Sequence, residues 1–501
     1  MDEKIAGIKP GYGLGRQMMY GMAEFFNGGA FVIIGTYFTV FLSNAFGMPT
    51  ALAGSIPLVG KIWDAITDPI MGNITDRTRS KFGPKRFYML IGAILSAITF
   101  VLLWTALPSK NMTALYIYYL FMFCLFSTGF TVLVVPYNGL LPDMMDDYKL
   151  RSKFSNVRMI WSTLGSMAAG IVPTLCIKET NNKMQYFEVA ILFGALFFIT
   201  SMVTFLGTWE KQKEPVRSST KDAFEQAISV YKNRSFRLFI GIYLTGQCAT
   251  DFVSGMAVYY VTEVLNGYQN NYFVYLMGVL LITQLIGMLI WGPVMARTSK
   301  RTTILIGAPI RLVGTLGLLF FSYEGASIII ILILTGLIGV GNAATLTSIF
   351  AIMADMADVD LLITSISRPG TVSGMATFAR KVSAGLSVGV IGILLGLAGY
   401  DSNLANAGIR QAASTAKGIG LIYVIAPAVL TVVLLLLGYV FPLSAKEFAV
   451  IKTEILRRKG EDKSIVTEEE KRICEKVTGF KFDKLWNIDN AKVFVNKKVN
   501  G

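Results

Sequence analysis

Twelve apolar runs, each long enough to cross a bilayer as a helix, dominate this chain. They lie near residues 18–45, 50–75, 87–107, 113–141, 154–177, 185–208, 236–264, 272–296, 302–322, 327–354, 371–398 and 417–443, bounded by charges and by Gly, Pro and Asn clusters. A span needs roughly 20 apolar residues, because in lipid every backbone N–H and C=O must be satisfied within its own segment. With 501 residues, 53% apolar and only 16% charged, the chain has little left for a separate soluble domain. The fold class expected is therefore an all-α polytopic membrane protein. The long runs at 18–45 and 113–141 call for tilt or protrusion.

Lys and Arg number 46 against 32 Asp and Glu, a net charge of +14. The cations gather in alternate loops: Arg77, Arg79, Lys81, Lys85 and Arg86, then Lys149, Arg151 and Lys153, then Arg297, Lys300 and Arg301. The intervening loops hold Lys110, Lys178, Lys183 and Arg410. This bias places both termini in the cytoplasm of a cell with the protein in its plasma (inner) membrane, and it accounts for the basic excess without a nucleic-acid partner. The apolar run after Met1–Gln17 is too long for a signal-peptide core and should be retained as the first span.

Histidine is absent, which removes the usual metal ligand and proton relay and leaves protonic or ionic chemistry to carboxylates and lysines. Cys124, Cys176, Cys248 and Cys474 show no CxxC spacing and read as inert small side chains. No metal-ligand cluster, nucleophile elbow or nucleotide loop is evident, so neither an enzyme nor a cofactor is expected.

An internal repeat divides the chain. Gly72-Asn73-Ile74-Thr75-Asp76-Arg77 follows the second run and Gly292-Pro293-Val294-Met295-Ala296-Arg297 follows the eighth, 220 residues later (292 − 72). The polar segment 209–235 lies between the sixth and seventh runs. The expected organisation is a six-helix bundle over 1–208, a cytoplasmic loop over 209–235, a second six-helix bundle over 236–443 and a cytoplasmic tail over 444–501. Parallel repeats of six helices describe the major facilitator fold, here expected as a twelve-helix monomer with its substrate cavity where the halves meet. In the tail, Phe448, Ile451, Ile455 and Leu456 have helical spacing opposite Lys and Arg, which predicts an amphipathic helix over 444–459; residues beyond Gly460 are expected to be only partly ordered.

Charges inside the runs are costly and mark function or pairing. They are Glu24, Lys61, Asp64, Asp68, Arg158, Asp251, Arg311, Arg380 and Lys381. Asp64 and Asp68 stand one helical turn apart on one face, with Lys61 on the same stripe. Two carboxylates that close cannot both stay ionised in a low dielectric without a cation, which can be Na⁺, a proton or a lysine. Either they hold a coupling cation or they join an ion-pair network that fastens the helix.

The run Lys61-Ile62-Trp63-Asp64-Ala65-Ile66-Thr67-Asp68-Pro69-Ile70-Met71-Gly72 closely resembles the second-helix signature of the glycoside-pentoside-hexuronide:cation symporters, the family of the melibiose permease. Tyr20-Gly21, Val135-Pro136-Tyr137, Leu141-Pro142, Arg158, Ala354-Asp355 with Asp358, and Lys381 also fall at family-like positions, so the resemblance covers the chain to about residue 445. It implies secondary active symport of a sugar with a cation by alternating access. The implied cation site is Asp64, Asp68, Thr67 and Thr131, where the family commonly has Asn at the position of Thr67. The coupling ion is Na⁺ or H⁺, with Li⁺ a further option, and Lys381 is implied to link cation and sugar sites, with Lys61 beside the acids.

The permease's two sugar-gripping acids and its helix-four tryptophan correspond here to Gly28, Val134 and Asn138, which argues against a galactoside. Glu24, one turn before Gly28, is placed to replace the lost acid. The substrate residues expected are Glu24, Asp251, Asn138 and Arg158, with Tyr137 or Trp161 against the ring. The alternative is a cation-coupled lipid, lysolipid or other small-molecule symporter on the same fold, which predicts a greasy cavity instead. Apart from the sugar, the lipid bilayer is the one partner expected.

Overall fold

The computed structural model describes residues 5–179, 181–211, 221–266, 271–401, 404 and 410–491. Its helices follow the apolar runs. α1 (Leu14–Gly21) and α2 (Ala23–Ile33) pass into two π-helical turns, Ile34–Phe38 and Phe41–Ala45, so the first predicted span is helical but irregular. Then come α3 (Thr50–Arg77), α4 (Pro84–Leu103), α5 (Met112–Met144), α6 (Tyr148–Cys176) and α7 (Lys183–Gly207). A short α8 (Lys221–Ser229) precedes α9 (Arg234–Tyr259), α10 (Tyr272–Arg297), α11 (Lys300–Gly317), α12 (Ile328–Thr364), α13 (Pro369–Leu397) and α14 (Ala413–Val440). The tail forms α15 (Ala445–Lys459) and α16 (Glu468–Thr478).

Among the described residues nine helices are long and apolar enough to cross a membrane, namely α4 to α7 and α10 to α14. The other three predicted spans are helical as well, but they are interrupted by the π turns (α1 and α2) or carry several charges, as α3 does with Lys61, Asp64, Asp68, Asp76 and Arg77. Local signals set the boundaries. Gly83, at φ +89°, turns the chain before Pro84, whose fixed φ suits the first helical position. The side chains of Asn111, Asp147, Asn182 and Ser299 cap α5, α6, α7 and α11.

The helices form two compact units. The first contains Met1–Phe236, Met353–Phe378 and Lys446–Gly501, so the end of α12, the start of α13 and the tail pack with the N-terminal helices. Its core is aromatic, with Phe26, Phe38, Phe41, Phe100, Phe123, Phe126, Phe193 and Phe197 buried. α2 and α6 approach closely because a Cβ on Gly28 would lie 2.1 Å from the Ser162 carbonyl oxygen, and one on Gly165 2.3 Å from that of Phe25. A two-stranded sheet pairs β1 (Ile5–Gly7) antiparallel with β2 (Trp209–Lys211), tying the N-terminus to the exit of α7.

The second unit contains Arg237–Ile352 and Ala379–Ala445. Its core is built on Met256, Tyr260, Leu276, Ile331, Ile419 and Tyr423, with the rings of Tyr260 and Tyr423 stacked at 4.2 Å.

The tail departs from the sequence expectation. Phe448, Ile451 and Ile455 are buried as predicted, but Leu456 is 40% exposed. Beyond Gly460 the chain is ordered through residue 491: Thr467 and Glu470 form a capping box on α16, Cys474 is buried, and the Trp486 N–H donates to the Leu362 carbonyl at 2.8 Å. Composition alone hid this, because the segment buries few side chains and is fixed mainly by caps and backbone bonds to the end of α12.

Candidate functional site

α3 delivers the two acids of the predicted cation site to α5. Asp64 and Asp68 are buried, and the Thr131 hydroxyl donates to Asp68 Oδ1 at 2.8 Å. Thr67 lies between them in sequence, half-buried, its hydroxyl donating to the Asp64 carbonyl at 3.3 Å. Pro69, following Asp68, has no N–H to give the Ala65 carbonyl four residues earlier, which loosens the helix ladder beside the acids. Oxygen donors of this kind suit a hard cation or a shared proton. Lys61 does not share their burial: it is exposed, although the helical stripe had aligned it with them. Spacing along a helix fixes the face but not how deeply the neighbours cover it.

One turn of α2, α5 and α6 brings together most of the residues predicted to meet substrate. Arg158 donates through Nε to Glu24 Oε1 at 2.5 Å and through Nη2 to Asn138 Oδ1. Its guanidinium lies 4.6 Å from the centroid of the Tyr137 ring, and Glu24 also accepts from Asn27 Nδ2 at 2.7 Å. Asn138 in turn donates to Thr377 Oγ1 at 3.4 Å. Tyr137 is fully buried, packs on Tyr20 at 5.1 Å and spends its hydroxyl on the Tyr20 carbonyl, so its ring supports Arg158. Trp161 is different. It is half-buried, touches Phe25 edge-on at 6.4 Å, and its indole N–H has no partner among the described residues.

In the second unit Asp251 of α9 and Arg380 of α13 form a two-pronged ion pair at 2.7 and 2.8 Å, with side chains 25% and 22% exposed. Arg380 thus takes a contact of its own, while Lys381 beside it is half-buried. Arg311 is completely buried on α11, where it donates through Nη1 to the Gly246 carbonyl and to Asn342 Oδ1, each at 3.2 Å.

Sequence reading missed a group of ion pairs at the end of the first unit that bears its basic loops. Lys85 reaches Asp143 at 2.5 Å, Glu210 at 3.5 Å and Asp76 at 3.8 Å, all four buried. Burial pushes the Glu210 carboxyl up to about 7, Lys85 opposes the rise, and the charge of Asp143 adds to it. Arg151 pairs with Asp358 and with Asp355, and Arg368 grips Asp360 two-pronged at 2.7 and 2.9 Å. Nearby, Asp146 is partly buried, which raises its carboxyl, yet Lys452 and Lys211 hold it well below the usual range. The available signal was acids such as Asp143 and Glu210 standing at the ends of apolar runs among cations.

Comparison with known proteins follows the same lines. The family model described as "MFS/sugar transport protein" matches residues 19–445. A curated relative, the uncharacterized symporter YjmB of Bacillus subtilis, is 25% identical, covering 88% of this chain and 95% of its own. The glucuronide carrier protein homolog of Escherichia coli is 24% identical, covering 90% of this chain and 97% of its own. Among solved structures, the Major Facilitator Superfamily transporter FucP in its outward conformation superposes with a TM-score of 0.59 at 15% identity, over 85% of this chain and 98% of that one. A membrane-embedded bundle of helices that holds buried acids and matches this model over most of its length belongs to the MFS/sugar transport protein family.

Proposed function

We propose that this chain is a secondary active symporter that moves a sugar together with a cation by alternating access. The observation that carries the reading is the buried pair Asp64 and Asp68, one turn apart, with the Thr131 hydroxyl on Asp68, inside a chain of a sugar-transport family. Desolvated carboxylates at this spacing need a cation, and a site that needs a cation is a means of coupling its gradient to a solute. Asp64 and Asp68 hold the ion with Thr67 and Thr131 as further oxygen donors; it is Na⁺ or H⁺. Lys381 couples ion and sugar.

In the first unit Glu24, Asn138 and Arg158 offer the sugar hydroxyls a prepared set of charged and amide groups, Tyr137 holds Arg158 in place, and Trp161 supplies a ring face and an indole N–H. In the second unit Asp251 and Arg380 offer a partly accessible polar pair. The relatives matched are named as symporters and sugar carriers, and the polar network around Arg158 does not fit the greasy cavity of a lipid carrier. The protein works as a monomer in the plasma (inner) membrane with both termini cytoplasmic.

Uptake into proteoliposomes tests this. Labelled glycosides, pentosides and hexuronides should accumulate above equilibrium only when a Na⁺ gradient at fixed pH, or a pH gradient without Na⁺, is imposed. No gradient-driven accumulation of any sugar would overturn it.

A further inference from the structure

Arg311 is the least compensated charge among those described in the second unit. Its side chain is fully buried, and Nη1 has two acceptors, the Gly246 carbonyl and Asn342 Oδ1. Asn342 is itself held by Thr250, whose hydroxyl donates to Oδ1 at 2.8 Å, and by Gln284, whose Oε1 accepts from Nδ2 at 2.7 Å. Nε and Nη2 have no partner among the described residues. These two N–H groups form the side of the guanidinium that matches both oxygens of a carboxylate or sulfonate. A buried cation with that side unfilled is unfavourable, and inside a membrane protein such a charge is retained where another state or a ligand compensates it.

The neighbouring acid is Asp251. It follows Thr250 on α9, five residues after the Gly246 carbonyl that Arg311 contacts, and its charge reaches Arg311. Here, however, both Asp251 oxygens are engaged by Arg380. Around Asp251, two guanidiniums, Arg311 buried and Arg380 partly exposed, therefore share one carboxylate among the described contacts. Lys381 adds a further positive charge beside Arg380.

We propose that Asp251 is a shared counter-ion: an anionic group on the substrate takes Arg380, and Asp251 passes to the Nε and Nη2 side of Arg311. The second unit thereby selects a sugar that carries a carboxylate or sulfonate. No covalent step is involved, and each guanidinium ends paired with one anion. This rests on the sugar-symport reading and narrows its substrate class. It also makes Arg311 a positioning residue, since it acts on the substrate through Asp251.

The test is equilibrium binding and counterflow with the purified full chain, using methyl glucuronide, a sulfonated glucoside and neutral methyl glucoside as matched probes, with inorganic sulfate as control. Wild type should bind at least one of the two acidic probes about tenfold or more tighter than the neutral one. Arg380→Gln should abolish that preference, so that acidic and neutral probes bind alike. Asp251→Asn removes the competitor for Arg380 and should preserve or strengthen the preference. Arg311→Met should raise the melting temperature, because it removes an incompletely paired buried charge, yet weaken the preference; a purely structural arginine would lower the melting temperature and leave the preference alone.

Equal binding of neutral and acidic sugars in wild type would overturn this inference and leave the symport reading standing. Saturation by sulfate as tight as by the sugar acids would overturn it in favour of an inorganic-anion site. Absence of binding and counterflow for every sugar, acidic or neutral, would overturn both readings.

Discussion

Asp76, at the end of α3, caps the N-terminus of α13 from 295 residues away: its Oδ2 accepts the Thr371 N–H at 2.7 Å and the Thr371 hydroxyl at 2.9 Å, while Oδ1 accepts the Gly370 N–H at 3.0 Å. The residue before Pro369 is Arg368, which has no acceptor to cap its own helix and instead pairs with Asp360. A carboxylate is the best available substitute, because it satisfies orphan N–H groups and sits at the positive end of the helix dipole. Asp76→Ala is expected to destabilise the protein by about 1–3 kcal/mol, the cost of leaving buried donors unpaired. Asp76→Asn, which keeps one acceptor oxygen, should lose less. Thermal melts in detergent rank the three proteins, and equal melting temperatures would remove the cap from the account.

Asp64→Cys and Asp68→Cys are each expected to abolish cation-driven accumulation while leaving some downhill exchange, because only the uphill step needs the ion. Proteoliposomes assayed with and without an imposed gradient separate the two activities. Normal accumulation in both variants would make the acids structural.

Glu24 and Arg158 form a buried pair at 0% and 2% exposure, so removing one partner strands the other. Glu24→Gln should cost about 3–5 kcal/mol of stability as well as weakening sugar binding, and Glu24→Gln combined with Arg158→Met should cost less than the sum of the two single changes. A double-mutant cycle on melting, run beside sugar binding, checks both parts. Additive losses would mean that the pair is not coupled.

The Glu210 carboxyl, raised by burial from 4.5 to about 7, gives the native state a proton that the unfolded chain has already released in that interval. The sign follows from linkage: the group's contribution to stability is full below about pH 4.5 and is lost as pH rises through about 7. Stability should therefore fall over that window through this residue. Glu210→Gln, neutral at every pH, should flatten the slope, as melting temperatures collected from pH 5 to 8 will show. An unchanged slope would place the titrating group elsewhere.

Lys381→Gln is expected to fold and to bind sugar, but without the tightening that the cation confers on wild type. Coupling between two ligands is reciprocal, so sugar should likewise cease to tighten the cation. Sugar titrations with and without Na⁺, and at two pH values, measure the factor directly. A normal enhancement in the variant would assign coupling to another residue.

The amino-acid sequence by itself determined that the chain lives in a membrane and where most of its helices begin and end, because burial in lipid admits few alternatives and caps such as Asn111 and Asp147 are local signals. It also put Asp64 and Asp68 on one face of α3, since helical periodicity alone does that. Only the tertiary structure decided which charges meet. Lys85 gathers Asp76, Asp143 and Glu210 from three separate elements, Arg380 rather than Arg311 holds Asp251, and Tyr137 turns its hydroxyl to a backbone carbonyl. The physical reason is range. Helix and span signals are written within one or a few turns of the chain, whereas an ion pair depends on the packing of helices hundreds of residues apart, and a buried cation's partner is set by which carboxylate that packing brings within reach.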